Sequence, residues 1–293
     1  MTPRPALIGV DWGSTNLRAM LVGDDATVLA RRSAEVGAAS LPSGTHAAEL
    51  ARVIGDWRGD GLPVVVCGMA GARNGWREVP YLPCPANAAA LHAGLVEVEP
   101  GVCLVPGVKC EDGDALRDVM RGEETQAIGL APAADDELVL CPGTHSKWIR
   151  VVDGHISTFR TCVTGELFAA LWPRWQATAP IPDAPAWPAF ERGVEAGRAS
   201  PLPTALFSAR IGYVAGTLAA GEVYDYLSGL VIGAEIAACA DLVPAACRLV
   251  GAPALARRYA RALALCGVAV AAVDAEACVA RGLLRVSNGT LRA

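Results

Sequence analysis

A chain of 293 residues with 53% hydrophobic content is long enough for two domains of ordinary size, each with its own core. Its formal charge of -5 gives no general basic footprint, which argues against nucleic acid as a partner, although a local cluster could still hold an anionic ligand. The apolar run at residues 262–273 falls short of the roughly 20 residues that span a bilayer, so no membrane partner is expected.

Ten cysteines lie scattered in apolar surroundings, without a Cys-x-x-Cys pair or a Cys/His cluster at zinc spacing. They read as reduced core thiols, which points to the cytoplasm, and the short lead-in to the first strand leaves no room for a signal peptide. Only two lysines, Lys109 and Lys147, stand against 23 arginines, so each is worth locating.

In chain order, Ala6-Leu-Ile-Gly-Val10 predicts a buried strand that ends at Asp11. Gly13 lets the backbone turn back, Ser14 and Thr15 offer hydroxyl and amide donors, and residues 17–22 return as a second strand. A turn of successive backbone N–H groups attracts phosphate, and a carboxylate beside it can hold Mg²⁺, usually through water. An ordinary hairpin with an Asp-containing turn would read the same way. Residues 26–34 predict a third strand, 44–55 an amphipathic helix, and 62–67 a Val-rich strand. That strand ends in Gly68-Met-Ala-Gly71, at the carboxyl end where open α/β sheets place ligands. Three meandering strands, a helix and a strand begin a ribonuclease-H-like α/β layout.

Residues 73–85 read as an irregular loop. It is either a surface connection or a substrate loop in which Arg73 or Arg77 meets a carboxylate and Asn74 or Trp76 meets hydroxyls and carbon. A strand at 102–106 and a helix at 114–130 follow, the helix carrying Arg121-Gly-Glu-Glu-Thr-Gln126. Adjacent helical residues point about 100° apart, so at most one of Glu123 and Glu124 is expected to face a cleft.

The stretch 131–136 marks a domain boundary, giving domains at 1–134 and 135–293. Beyond it a strand at 138–141 runs into Pro142-Gly-Thr-His-Ser-Lys-Trp148 and out through 149–152, with a third strand at 154–159. The strand, small-residue turn and strand of the opening are repeated, and this internal duplication is more informative than either turn alone. Glu166 lies in the first turn of a helix at 164–171, and a Pro- and Trp-rich excursion fills 172–188. Helices are expected at 189–197, 203–218 and 224–239; in the last, Ser228, Gly229 and Gly233 permit close contact with another helix. A strand at 248–250 leads into Gly251-Ala-Pro-Ala-Leu255, a turn that can bring backbone amides to a nucleotide or serve as a plain βα connection. A strand at 268–273 precedes a C-terminal helix that can return across the interface between the domains.

Two phosphate hairpins across a cleft suit phosphoryl transfer from a nucleotide, which demands alignment and charge neutralisation. ATP and Mg²⁺ are the expected cofactors and a small molecule the acceptor. Asp11 is the candidate Mg²⁺ carboxylate, with Gly13, Ser14 and Thr15 near the transferred group and Gly143, Thr144 and Gly251 near the rest of the nucleotide. Lys147 and Arg18 are candidate charge partners, unless they are surface residues of their strands. Arg18, Arg73, Asn74, Trp76 and Glu166 form the candidate substrate set. A base for the acceptor hydroxyl must come from Asp11, Glu123, Glu124 or Glu166.

Asp11-Trp-Gly-Ser-Thr-Asn-Leu-Arg18, Gly75-Trp-Arg-Glu-Val-Pro-Tyr81, Arg121-Gly-Glu-Glu-Thr-Gln126, Pro142-Gly-Thr-His-Ser-Lys-Trp148, Thr164-Gly-Glu-Leu-Phe168 and Tyr226-Leu-Ser-Gly-Leu-Val-Ile-Gly-Ala-Glu235 together resemble the 2-dehydro-3-deoxygalactonokinase family, nearly end to end. The resemblance implies two ribonuclease-H-like domains of the actin-like ATPase type flanking a nucleotide cleft. It also implies transfer of the ATP γ-phosphate to O6 of the sugar acid 2-dehydro-3-deoxy-D-galactonate, in galactonate or galactose catabolism. Many sugar kinases of this superfamily carry an aspartate near the second hairpin, and Cys141-Pro142-Gly143 offers none. The exopolyphosphatase branch has paired glutamates just before that hairpin, which implies Glu123 or Glu124 as the base here. Rival readings are a kinase for the epimeric 2-dehydro-3-deoxy-D-gluconate, an exopolyphosphatase-like phosphohydrolase, and a non-catalytic sensor that closes on nucleotide. Asp11 and the arginine-bearing loop argue against the sensor. Epimer, nucleotide preference and pairing with a second copy as a homodimer stay open.

Overall fold

Leu7, Ile8, Val10 and Trp12 have no solvent exposure, so the first strand, β1 (Pro5–Trp12), is covered on both faces and sits inside its sheet. The computed structural model describes residues 2–113, 115–130, 135–175 and 181–290. These form two units, Met1–Glu137 with Ile149–Phe159 and Asp274–Ala293, and Leu138–Trp148 with Arg160–Val273. Residues 131–134, before the expected boundary, lie outside the described residues, as do 176–180 of the Pro- and Trp-rich excursion.

In the first unit β1 is followed by β2 (Leu17–Gly23), β3 (Val28–Ala34), α1 (His46–Ile54), β4 (Val64–Gly68), β5 (Leu82–Pro83), α2 (Ala88–Ala93), β6 (Val96–Glu99), β7 (Val102–Leu104), β8 (Val108–Asp112), β9 (Ala115–Met120) and α3 (Glu123–Ile128). The main sheet has the order β3-β2-β1-β4-β7-β6. β1, β2 and β3 run antiparallel in turn, while β4 joins β1 and β7 joins β4 in parallel. Leu50, Val53 and Ile54 of α1 complete a core with Ile8, Val10, Val64, Val66 and Leu104.

The helix expected over 114–130 is confined to α3. Residues 115–120 form β9 instead, antiparallel to β8 from Val108↔Met120 to Asp112↔Ala115. Ala, Leu, Arg and Met favour helix, but strand pairing overrides that weak preference. Gly113 at φ 58° turns the hairpin and Gly122 at φ 113° separates strand from helix.

The second half continues with β10 (Asp136–Cys141), β11 (Ser146–Val152), β12 (His155–Cys162), α4 (Thr164–Leu171), α5 (Trp187–Ala199), α6 (Leu202–Val214), α7 (Val223–Ala238), β13 (Ala246–Val250), α8 (Pro253–Leu265), β14 (Ala269–Val273) and α9 (Ala275–Asn288). The sheet order β12-β11-β10-β13-β14 repeats the pattern of the first sheet, three consecutive strands in reverse and then a parallel partner. The ribonuclease-H-like layout is therefore present twice. α5 and α7 cross through glycines: a Cβ on Gly229 would stand 2.0 Å from the Phe190 carbonyl oxygen, and one on Gly197 2.0 Å from that of Leu230. Placed by sequence in a domain at 135–293, α9 is counted with the first unit, where a Cβ on Gly9 of β1 would stand 2.8 Å from Leu283. All ten cysteines are free thiols, and no helix among the described residues is long and apolar enough to cross a membrane.

Candidate active site

Register places Asp11 opposite Arg18 on β2 and opposite Cys67 on β4, at the carboxyl ends of two parallel strands. Arg18 Nη1 lies 3.4 Å from Asp11 Oδ2, a long contact, and the Asp11 side chain is 24% exposed. Burial pushes the Asp11 carboxyl up, against the downward pull of Arg18. The turn between β1 and β2 is closed by the Gly13 amide donating to the Asn16 carbonyl at 2.9 Å. Ser14 and Thr15 stand exposed at its tip. Gly37 supports it from behind, since a Cβ there would fall 1.8 Å from the Ser14 carbonyl oxygen. Gly13 itself has no left-handed φ, and the nearest atom to an added Cβ would be 3.7 Å away, so the fold alone does not demand glycine there.

α3 begins beside this turn. Gly122 packs over Gly68 at the end of β4, and a Cβ on Gly68 would stand 2.7 Å from the Trp12 carbonyl oxygen and 3.4 Å from Asp11 Oδ1. Glu124 is fully buried; it accepts from the Gly122 amide at 2.6 Å and the Thr125 hydroxyl at 3.1 Å. Burial, then the neighbouring charge of Glu123, raises its carboxyl to about 7. The Cys67 thiol is pushed well up, first by burial and then by the charges of Asp11 and Glu124. Glu123 is half-buried and so the more accessible of the pair.

The loop after β4 splits into two kinds of residue. Arg73 and Asn74 are exposed, and Arg73 Nε meets Glu78 at 3.6 Å. Trp76 stacks on His46 at 6.1 Å and meets Trp12 edge-on, so part of its ring belongs to the core. Arg121 pins the loop: it donates to the Val79 carbonyl at 2.7 Å and lies 4.3 Å from the Tyr81 ring centroid.

In the second unit the turn between β10 and β11 leaves Thr144 exposed and open space around an added Cβ on Gly143. α4 supports it: a Cβ on Gly165 would lie 2.3 Å from the Gly143 carbonyl oxygen, and the Glu166 amide donates to the Thr144 carbonyl at 3.0 Å. His145 Nε2 and Glu166 Oε2 are 2.6 Å apart, both side chains well exposed. Lys147 is buried, its ammonium donating to the His145 carbonyl at 3.0 Å. Gly251, opening α8, packs against Pro142, whose Cδ would be 3.3 Å from an added Cβ. A cavity of about 210 Å³ lies here, lined by Gly143, Thr164, Phe168, Tyr224, Leu255 and Arg258 among others.

Among the described residues no three His, Cys, Asp or Glu side chains gather as a metal cage. Mg²⁺ held by one or two carboxylates plus substrate phosphates needs no such cage, and Asp11, partly exposed and only loosely engaged by Arg18, fits that role. Arg18 stands on β2 beside the first turn and Glu166 on α4 beside the second, while Arg73, Asn74 and Trp76 occupy the loop. Sequence reasoning passed over Arg121, whose signal was a charge beside the glutamate pair. It also gave no role to Glu235, the charge that ends the apolar stretch 227–235 of α7.

The sequence model of the 2-keto-3-deoxy-galactonokinase family matches residues 11–286. The chain is 39% identical over 286 residues to the 2-dehydro-3-deoxygalactonokinase of Escherichia coli (strain K12), covering 96% of this chain and 97% of the relative. A crystal structure from Sinorhizobium meliloti, provisionally named as a 2-dehydro-3-deoxygalactonokinase, superposes with a TM-score of 0.83 at 35% identity, covering 94% of this chain and 96% of that one. The activator of 2-hydroxyisocaproyl-CoA dehydratase from Clostridium difficile, solved with bound ADPNP, shares the fold at a TM-score of 0.53 and 14% identity, covering 96% and 94%.

Proposed function

The chain belongs to the 2-keto-3-deoxy-galactonokinase family, and from that premise we propose how its residues transfer the ATP γ-phosphate to O6 of 2-dehydro-3-deoxy-D-galactonate, a step of galactonate or galactose catabolism ahead of an aldolase. What carries the reading is that the family match, residues 11–286, includes both turns and both glutamates.

Asp11 would hold Mg²⁺, which when bound supplies neutralisation of the phosphate charge. Ser14 and Thr15 present hydroxyls and amides to the phosphoryl group in transfer, and Gly13 leaves its Cα bare for close approach. Gly143 and Thr144 hold the remaining phosphates, and Gly251 keeps Pro142 and the second turn in place. Lys147, buried beneath that turn, orients the His145 carbonyl and adds positive charge behind it. Arg73 and Arg18 meet the sugar-acid carboxylate, Asn74 and Glu166 meet hydroxyls, and Trp76 offers an apolar edge.

Glu123 takes the O6 proton as that oxygen bonds to phosphorus and ADP leaves. Glu124, behind it, is engaged by Gly122 and Thr125 and fixes the start of α3, so it orients its neighbour rather than reaching the substrate. Phosphoryl transfer by this arrangement relies on alignment and electrostatics more than on covalent chemistry.

The test is ADP release with ATP and Mg²⁺ over a panel of 2-keto-3-deoxy acids that includes both C4 epimers. Release that depends on the galacto epimer supports the reading. Equal release with no sugar acid would make the protein a phosphohydrolase, and no release despite nucleotide binding would make it a sensor.

A further inference from the structure

Glu235 is the charged residue of the apolar stretch Leu227-Ser-Gly-Leu-Val-Ile-Gly-Ala-Glu235 in α7, and it is 4% exposed. A carboxylate buried this far loses its hydration and is tolerated only when its oxygens are paired. Trp148 Nε1 donates to Oε1 at 2.7 Å and the Tyr259 hydroxyl to Oε2 at 2.5 Å. The Thr164 hydroxyl also bonds to this carboxylate, and because Tyr259 has given its proton to Oε2, Ser146 Oγ donates in turn to the Tyr259 oxygen at 2.8 Å.

The three partners, and Ser146 behind Tyr259, come from three different walls of the second phosphate turn. Ser146 and Trp148 stand on β11, directly after the turn. Thr164 opens α4, whose next two residues touch Gly143 and Thr144 through backbone contacts of 2.3 Å, for an added Cβ, and 3.0 Å. Tyr259 belongs to α8, which starts from the Gly251 turn packed on Pro142. A single acceptor-only group therefore ties β11, α4 and α8 to α7, behind the backbone that would face a nucleotide.

We propose that Glu235 is a positioning residue for the nucleotide: it holds these three walls in one register and so fixes the geometry in which Gly143 and Thr144 meet phosphate. The proposal rests on the reading of that turn as a nucleotide site. An ionised carboxylate suits the place because it accepts at both oxygens without donating. An amide of the same shape would point two hydrogens at the hydroxyls of Tyr259 and Ser146, leaving at least one buried donor unpaired.

Glu235→Gln keeps the volume and removes that acceptor pattern, so its ADP dissociation constant and its KM for ATP are each expected to rise about tenfold. The KM for the sugar acid should stay within about twofold, because the change is confined to nucleotide geometry. Tyr259→Phe removes one donor and keeps the ring, giving a smaller rise in the same two quantities. The double variant should fall short of the product of the single effects, as members of one network do. Direct ADP titration of each folded variant, checked by near-ultraviolet circular dichroism, reads this without any acceptor present, and Tyr259→Phe carries the test if Glu235→Gln does not fold. Folded variants that bind ADP as the wild type does would overturn the inference alone. So would an unchanged KM for ATP with a lower kcat, the mark of a partly unfolded population. Wild-type protein that binds no ADP would overturn it together with the nucleotide-site reading.

Discussion

Glu124 and Glu123 are neighbours in sequence with opposite surroundings. Because burial raises the Glu124 carboxyl from 4.5 to about 7, the folded state holds its proton more tightly than the unfolded chain does. Its contribution to stability is complete below about pH 4.5 and is lost as pH rises through about 7, a change of order 3 kcal/mol. Urea midpoints measured across pH 4.5–8, with EDTA to exclude divalent cations, should show this slope in the wild type and lose it in Glu124→Gln. Parallel profiles would refute the burial argument. Glu123→Gln tests the other half of the division: kcat should fall by about 10²–10⁴ with ADP affinity nearly unchanged, as expected for loss of a general base. Wild-type turnover in Glu123→Gln would move the proton acceptor to Asp11.

At the scale of elements, glycines with different surroundings make opposite predictions. On Gly229 a Cβ would enter the backbone of α5, 2.0 Å from the Phe190 carbonyl oxygen, so Gly229→Ala must push α5 and α7 apart and should cost about 1–3 kcal/mol in urea unfolding. On Gly143 a Cβ meets open space, so Gly143→Ala should leave stability within about 0.5 kcal/mol while weakening ATP binding. Similar stability losses in both would show that the second turn is glycine for folding reasons. Periodicity alone made much of this legible: the apolar strands, the small residues along α7 and the repeated strand-turn-strand units are all local signals. Residues 115–120 were not legible, because Ala115-Leu-Arg-Asp-Val-Met120 is mostly exposed and four of its six residues are good helix formers, and only β8, itself unforeseen, makes it a strand. The candidate site was legible where a turn carries its own chemistry, as at Asp11 to Thr15. It was not legible at Glu235, whose meaning depends on Trp148 and Tyr259 arriving from elsewhere in the chain.

Across the whole chain, the first unit opens with β1 and is finished by α9, its last helix. The carbonyls at the end of α3 have no partner within their own helix, and α9 supplies one: Arg285 donates to Ile128 and Leu130 at 2.6 and 2.7 Å, and Arg281 to Gly129 at 2.8 Å. Close contact is built in on both sides, since a Cβ on Gly282 would stand 2.0 Å from the Thr125 carbonyl oxygen and one on Gly129 1.8 Å from that of Cys278. These contacts fix α3, and with it Glu123, the proposed base, and Glu124 behind it, so both carboxylates depend on residues more than 150 positions later in the chain. A chain ending at Val273 should therefore lose amide protection throughout β1 and α3 in hydrogen exchange, while the α5–α7 pair keeps its own. Gly282→Leu should reproduce that pattern in the full-length chain, because the larger side chain has only the α3 backbone to enter. Protection of α3 equal to the wild type in both variants would mean that α3 is held by its own sheet, and that α9 only covers it.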